Sequence, residues 1–128
     1  MAKNVKISRG VDINLVGKAE EKLGAIDSTT VALKPTDFHG VIPKLEVKEG
    51  DEVKAGTPLF HDKANENTKF VSPVSGEVAE VVRGAKRRIL EVRLLADKET
   101  KFENFDVSGV NSADKAGIIE ILQRGGQW

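Results

Sequence analysis

The middle of the chain alternates between apolar and charged residues in short runs. Between residues 45 and 59, charged side chains separate the apolar ones, as in strands with one buried face; the apolar members are Leu45, Val47, Val53 and Leu59. A further strand is predicted over residues 89–95, where Leu90, Val92 and Leu94 alternate with Glu91 and Arg93. Short strands at this spacing predict a compact β-barrel or sandwich.

Glycine and proline mark the reversals between these runs. Gly50 and Gly56 stand where strands must turn back, and glycine tolerates the positive φ angles that such turns need. Pro73 and Gly76 mark the next reversal. We therefore predict one β domain over residues 35–97.

The region before this domain carries shorter signals. Short strands are predicted over residues 5–7 and 11–15, followed by a helical turn or two over residues 18–23 and another short strand over residues 31–33. We expect residues 1–34 to form a strand segment that packs on the β domain.

The region after the β domain begins as a linker. The charged run Asp97–Lys101 predicts a solvated loop. The spacing of Phe102 and Phe105 predicts that the linker docks onto the β domain.

A helix is predicted at the end of the chain. Asn111 or Ser112 is the expected N-cap, with Asp114 in the first turn, and Gly125–Gly126 ends the helix. Its apolar face consists of Ile118, Ile119 and Leu122. We interpret residues 98–128 as a linker and a helix that opens a following domain which this sequence does not include.

Composition excludes several kinds of function. The 20 basic and 20 acidic residues cancel, so no strong field favours nucleic acid or an anionic membrane. The absence of cysteine excludes disulfides, thiolate catalysis and cysteine-ligated zinc or iron–sulfur clusters. The start of the chain lacks the apolar core of a signal peptide, and no run approaches the roughly 20 apolar residues of a membrane span. A soluble, cytosolic protein is expected.

The central pattern can be written V-x-x-G-D-x-V-x-x-G-x-x-L, followed by a polar loop and P-x-x-G-x-V. It resembles the hammerhead, or barrel-sandwich hybrid, fold that lipoyl and biotinyl carrier domains share. The stretch His61–Ala64 resembles the D-K-A triplet that presents the modified lysine of such carriers, so Lys63 is the attachment point under a carrier hypothesis. The alternative is an ordinary solvated lysine. Ten positions separate Lys63 from Pro73, about two more than in carriers, so residues 65–68 are expected to widen the tip.

A second resemblance extends over four segments in order. The chain is similar to the A subunit of the bacterial sodium-translocating NADH:quinone reductases. The first segment is Lys6–Asp12, with the motif K-I-x-x-G-x-D, and the second is Val47–Gly56 followed by the L-F-x-D-K motif at Leu59–Lys63. The third is Phe70–Gly76, with F-x-x-P-x-S-G, and the fourth is the loop Arg83–Arg88, which resembles R-G-x-K-R. The resemblance implies a mainly β, carrier-like barrel-sandwich hybrid with short N-terminal strands and a C-terminal helix. It also implies a structural and docking role at the N-terminus of a longer subunit.

The same resemblance implies where the longer protein works. It is a peripheral protein on the cytoplasmic side of the bacterial inner membrane and contacts the membrane through other subunits. The complex passes electrons from NADH through flavins and an iron–sulfur centre to ubiquinone and exports Na⁺, while this part of the chain binds no cofactor. The alternatives are the N-terminal domain of the C subunit of the Rnf complex and a carrier domain modified on Lys63.

The residues themselves predict no catalytic or metal site. His39 and His61 lie far apart and without partners at metal-ligand spacing, so packing or surface roles are expected. No nucleotide-binding glycine loop occurs. Phe60 and Phe70 flank the hairpin and are predicted to pack in the core, although a quinone slot is the alternative. The basic run Arg83–Arg88 is either a solvated turn or a contact for a phosphate or an acidic partner.

Overall fold

The computed structural model describes residues 6, 8–10 and 16–128. Its strands account for most of the regular structure, and the one α-helix of the described residues lies near the end of the chain. In chain order the elements are β1 (Thr30–Leu33), β2 (Pro43–Leu45), β3 (Glu52–Val53), β4 (Pro58–Asp62), β5 (Asn65–Val71), β6 (Gly76–Arg83), β7 (Ile89–Ala96) and α1 (Lys115–Arg124). The predicted mainly β architecture is confirmed.

Two antiparallel sheets form the β domain. One has four strands in the order β1-β7-β6-β3, and the other has three in the order β2-β4-β5. The alternating apolar positions meet in one core, which consists of Val47, Val53, Leu59, Phe60, Val78, Ile89, Val92 and Leu94. The predicted alternation in β7 is confirmed at Val92 and Leu94, which are fully buried, with Arg93 between them only partly covered.

Two predicted turns have the expected backbone. Gly50 has φ of +87° and Gly56 has φ of +102°, a region that side chains with a Cβ enter only with strain. The Gly50 amide donates to the Val78 carbonyl at 2.8 Å, which joins this turn to β6. Gly50 and Gly56 therefore form the turns that precede β3 and β4.

The N-terminal predictions have mixed outcomes. The strand over residues 31–33 is confirmed as β1, which pairs with β7. The strands predicted over residues 5–7 and 11–15 lie outside the described residues, apart from Lys6. The helical turn over residues 18–23 is wrong: this segment is irregular and exposed. Its ion pairs, such as that of Lys18 with Glu21, are solvent-exposed, and a segment this short needs buried apolar contacts to hold a helix.

The linker is anchored to the β domain by its backbone. We call Asp97–Phe105 the strap. The side chains of its first five residues are exposed, as predicted for a solvated loop, but its amides and carbonyls bond to the barrel. The Ala55 amide donates to the Lys101 carbonyl and the Glu103 amide donates to the Ala55 carbonyl, both at 2.9 Å. The predicted docking is thus confirmed, and it is made mainly by backbone groups.

The hydroxyl of Ser75 holds the start of the strap. Ser75 is 1% exposed, and its Oγ accepts from the Lys101 amide at 2.9 Å and lies 3.0 Å from an Asp97 carboxylate oxygen. Further along, the ring of Phe105 lies next to Gly56, while Phe102 stays 68% exposed. Phe105 therefore packs against the barrel, and Phe102 is joined to it by a backbone bridge to Ala55.

The C-terminal helix starts later than predicted. Its N-cap is Asp114, whose carboxylate accepts from the Gly117 amide at 2.9 Å; a short 3₁₀ turn occupies Val110–Ser112. Asn111 and Ser112 as N-caps were therefore wrong, because the aspartate that follows supplies the capping oxygen. The predicted end at Gly125 is confirmed. The chain beyond it returns to the barrel, since Gly126 stands against Val71 of β5.

Candidate functional site

Lys63 stands at the tip of the β4–β5 hairpin. Asp62 pairs with Asn65, so the turn between the strands consists of Lys63 and Ala64 alone. Both residues are exposed. The hairpin therefore offers a primary amine on a short turn, which is the arrangement that a swinging prosthetic arm requires.

Hydrogen bonds hold this tip against the segment before β2. The Lys63 amide donates to the Ile42 carbonyl at 2.8 Å. The Asp62 carboxylate accepts from the Ile42 amide at 3.2 Å and from the Ala64 amide at 3.3 Å. The turn is thus held by one backbone bond to Ile42 and by the Asp62 carboxylate, which bonds the amides of Ile42 and Ala64.

The extra residues of the hairpin do not widen the turn itself. After the Asp62–Asn65 pair, the next pair is His61 with Lys69, so Glu66, Asn67 and Thr68 form a bulge in β5. The expectation that residues 65–68 would open the tip is therefore corrected. An antiparallel ladder absorbs extra residues as a bulge while the short turn keeps its bonds.

His61 is a buried member of β4. Its Nδ1 lies 2.7 Å from a carboxylate oxygen of Glu46, whose other oxygen is 3.9 Å from the Lys69 ammonium. The Nε2 of His61 is buried and has no hydrogen-bond partner among the described residues. The tautomer with hydrogen on Nδ1 is favoured, because hydrogen on Nε2 would be an unpaired buried donor.

The two histidines lie in different environments. His39 is exposed in the loop before β2, whereas His61 is 7% exposed inside the barrel. Across residues 6, 8–10 and 16–128, no three His, Cys, Asp or Glu side chains are grouped so that they could hold a metal ion. The predicted packing role of His61 is confirmed.

Three phenylalanines form a stack at the hairpin base. The rings of Phe60 and Phe70 lie 4.7 Å apart and are nearly parallel, and the ring of Phe38 lies 4.5 Å from that of Phe70. Phe60 is fully buried and Phe70 half-buried. The predicted core role is confirmed for Phe60. Sequence reasoning missed Phe38, because nothing in its sequence surroundings signals a contact with β5.

The outer side of this stack lines an apolar groove of about 380 Å³. Phe38, Phe70 and Val71 form one part of it, and Gly126 and Trp128 form another. Trp128 is 61% exposed. Gly126 and Trp128 thus lie beside the hairpin, and no signal in the sequence predicted this.

The basic run forms the tip of the β6–β7 hairpin, which we call the basic tip (Arg83–Arg88). Lys86 and Arg87 both have positive φ, +55° and +60°, and the Arg88 amide donates to the Ala85 carbonyl at 3.2 Å. This is the geometry of a type I′ turn, where asparagine and glycine are the favoured central residues. A left-handed residue with a Cβ costs roughly 1–2 kcal/mol.

The cations of the basic tip differ in their ion pairing from Arg93, which lies further along the same hairpin. Arg93 lies 2.8 Å from a Glu91 oxygen and 2.7 Å from a Glu80 oxygen, and the hydrogen bond and charge of Glu91, helped by Glu80, raise the pKa of Arg93. Within the described part of the chain, no carboxylate lies within 4.0 Å of a basic-tip cation. Counting described partners only, the hairpin thus has one ion-paired cation, Arg93, and four that form no ion pair: Arg83, Lys86, Arg87 and Arg88.

No helix in the described ranges is long and apolar enough to cross a membrane.

Two sheets close around one apolar core, and a lysine stands on a short anchored hairpin at the edge of that core. This arrangement places the chain in the class of carrier-like barrel-sandwich hybrid domains.

Comparison with known proteins gives the particular family. The model of the NqrA N-terminal barrel-sandwich hybrid domain matches residues 5–97, so the chain belongs to this family. It is 37% identical over 127 residues to the A subunit of the Na(+)-translocating NADH-quinone reductase of Vibrio vulnificus strain YJ016, an alignment that covers 97% of this chain and 28% of that protein. The equivalent subunits of Actinobacillus succinogenes and Marinomonas sp. strain MWYL1 are 35% and 34% identical over 97% and 96% of this chain, and over 29% and 28% of their own lengths. The chain spans less than a third of these curated relatives.

Proposed function

We propose that this chain is the N-terminal barrel of the A subunit of a sodium-translocating NADH–quinone reductase. The observation that carries the proposal is its similarity to subunits of that name over 96–97% of its length. The complex couples NADH oxidation and ubiquinone reduction to Na⁺ export, and the electrons pass through flavins and an iron–sulfur centre on other parts of the assembly. The chain itself binds none of these cofactors.

Within the complex, the barrel acts as a structural and docking module. Its hydrogen-bonded hairpins close around an apolar core, so functional contacts are left to the outer surface. That surface offers the apolar groove beside Phe38 and the uncompensated basic tip. The proposed units are residues 1–34 as a segment on the barrel, residues 35–97 as the barrel, and residues 98–128 as the connection to the rest of the longer protein.

The proposed location is the cytoplasmic side of the bacterial inner membrane. The protein is held there as a peripheral subunit by its contacts with the other subunits. These contacts, rather than a direct interaction of the barrel with lipid, keep it at the membrane.

Affinity purification from native cells tests this function. The protein is tagged, the membranes are solubilised in detergent, and co-purifying proteins are identified by mass spectrometry. We expect the other subunits of the sodium-translocating reductase. Recovery of Rnf subunits would move the chain to that complex, and recovery of a soluble multienzyme complex would refute both assignments.

A carrier function is the second candidate, and the geometry of Lys63 is what favours it. The lysine is exposed on a two-residue turn whose backbone is tied to Ile42, as a swinging arm requires. The bulge at Glu66–Thr68 departs from the regular hairpin of carrier domains. Because modifying enzymes recognise the placement of the lysine, this bulge disfavours attachment.

A further inference from the structure

A shallow concavity lies beside the basic tip, between the β2–β3 connection and β6. Its volume is about 390 Å³, and its lining residues are Leu45, Val47, Lys48, Glu49, Val81 and Arg83. Val47 is a buried core residue, while Leu45 and Val81 pack against the core and are half-buried, so the concavity exposes only part of the apolar side chains of Leu45 and Val81. Arg83 belongs to both the concavity and the basic tip, and therefore the two form one continuous surface.

The charge of this surface is positive and largely unbalanced. The cations of the basic tip have no described carboxylate within 4.0 Å, and Lys48 also lines the concavity. The acidic residue of the lining is Glu49, and one of its carboxylate oxygens accepts from the Val81 amide at 2.8 Å. Glu49 keeps its negative charge while this oxygen bonds to the backbone of β6. The surface therefore carries five cations, Lys48, Arg83, Lys86, Arg87 and Arg88, against this one carboxylate of the lining, and the excess of cations favours an external anion.

The backbone of the basic tip adds a second observation. Lys86 and Arg87 occupy left-handed positions where asparagine and glycine fit with less strain. The Arg83 guanidinium also donates to the Arg87 carbonyl at 3.3 Å, which fixes one cation against the turn. The chain therefore holds its cations on a tight turn at a conformational cost. Backbone strain that is retained in this way indicates that the turn has a function.

We propose that the concavity and the basic tip together bind an acidic polypeptide segment that carries an apolar side chain. Guanidinium groups bind carboxylates through paired hydrogen bonds, and the apolar lining accepts the side chain. A protein partner fits better than a lipid surface, because a flat membrane cannot fill a recess between strands and the tip itself has no large apolar side chain to insert. The inference rests on the proposed function, since the segment belongs to another protein of the same complex.

Site-specific photo-crosslinking in cells that make the protein tests this surface. A benzophenone amino acid replaces Ala85, which is exposed and uncharged at the tip, and crosslinked peptides are sequenced by mass spectrometry. We expect a crosslink to an acidic segment with an apolar residue in another protein chain. The same probe at Glu120, exposed on α1, provides the background.

Charge variants distinguish an effect of the basic tip from an effect of the net charge of the protein. Lys86→Asn/Arg87→Gly removes two cations at the tip, and Lys98→Gln/Lys115→Gln removes two exposed cations elsewhere. We expect the first variant to lower the yield of crosslink about tenfold, the effect of losing two partly exposed ion pairs, and the second to leave it unchanged. Equal loss in both variants would overturn the proposal, as would a yield at Ala85 no higher than at Glu120.

Stability gives an independent control. Because asparagine and glycine relieve the left-handed strain, Lys86→Asn/Arg87→Gly is expected to raise Tm by about 4 °C. Loss of the crosslink together with a higher Tm therefore excludes unfolding as its cause. A fall in Tm would show that the cations stabilise the fold itself and would overturn the argument from strain.

Three further outcomes distinguish the sources of failure. Sedimentation with vesicles of phosphatidylcholine and phosphatidylglycerol that is lost in Lys86→Asn/Arg87→Gly alone would make the surface a lipid contact and refute a protein partner. A crosslink to an acidic segment of an unrelated complex would support the surface and refute the proposed function. Co-purification of reductase subunits without a crosslink at Ala85 would support the proposed function and refute the surface.

Discussion

Gly76 and the Leu95 carbonyl are in such close contact that a Cβ on Gly76 would overlap the carbonyl oxygen. Gly76 opens β6 with φ of +151°, and it pairs with Ala96 of β7 on one side and Val53 of β3 on the other. Three strands of the four-stranded sheet, β7, β6 and β3, therefore meet at this residue. No side chain fits without moving the backbone of β7.

Replacement of Gly76 tests this close approach to the Leu95 carbonyl. We expect Gly76→Ala to lower the free energy of unfolding by about 3–5 kcal/mol, since backbone strain and overlap add. Gly40→Ala is the matched control: Gly40 also has positive φ, +77°, but its Cβ would meet no atom within 4 Å, so roughly 1 kcal/mol is expected. Urea denaturation measures both. Equal effects of the two substitutions would contradict the close approach.

Removal of the Ser75 hydroxyl tests the attachment of the strap. Ser75→Ala leaves the Lys101 amide without its acceptor and is expected to destabilise the protein by about 1–3 kcal/mol. Hydrogen exchange of the Lys101 and Glu103 amides should accelerate. Ser112→Ala, whose hydroxyl donates to the nearby Gly109 carbonyl at 3.2 Å, is the control and should leave exchange in the strap unchanged. Unaltered exchange in Ser75→Ala would mean that the hydroxyl does not hold the strap.

The aromatic stack gives a third prediction. Phe60→Ala should cost about 3–5 kcal/mol, because it empties a fully buried ring position stacked on Phe70. Phe102→Ala removes the same side chain from a site that is 68% exposed and is expected to change stability by about 0.5 kcal/mol or less. Thermal denaturation compares the two. A neutral Phe60→Ala would indicate a ligand-facing rather than a core ring.

The state of Lys63 gives a fourth prediction. We expect the peptide that contains Lys63, taken from protein made in native cells, to have the mass of its unmodified sequence, because the bulge at Glu66–Thr68 alters the hairpin that a modifying enzyme must recognise. Peptide mass spectrometry measures this directly. A lipoyl or biotinyl addition on Lys63 would establish the carrier function instead. Lys44, exposed in the neighbouring strand β2, is the internal reference for non-specific acylation.

The β core could be predicted because its signals are local. The alternation through β7 and the glycine turns at Gly50 and Gly56 follow from side-chain burial and backbone sterics within a few residues. The four-segment resemblance then gave the family, which the match over residues 5–97 confirms. Boundaries of the proposed units at residues 34 and 97 stay predictions.

The features that sequence reasoning missed depend on distant partners. The strap is fixed by bonds from Ala55 and Ser75 to residues 22 or more positions away, which no local pattern encodes. The start of α1 was misplaced because Asn111, Ser112 and Asp114 are all good capping residues, and only the geometry selects the aspartate. Residues 18–23 are of types that favour a helix. In the described structure, however, no apolar surface packs against this segment.

The bulge in β5 has a consequence for the solution behaviour of the protein. β5 is the outer strand of its sheet, and an outer strand with a regular row of free amides and carbonyls recruits strands from other molecules. Three unmatched residues, Glu66–Thr68, interrupt that row and place a carboxylate in it. The irregular hairpin is therefore expected to disfavour edge-to-edge aggregation of the barrel.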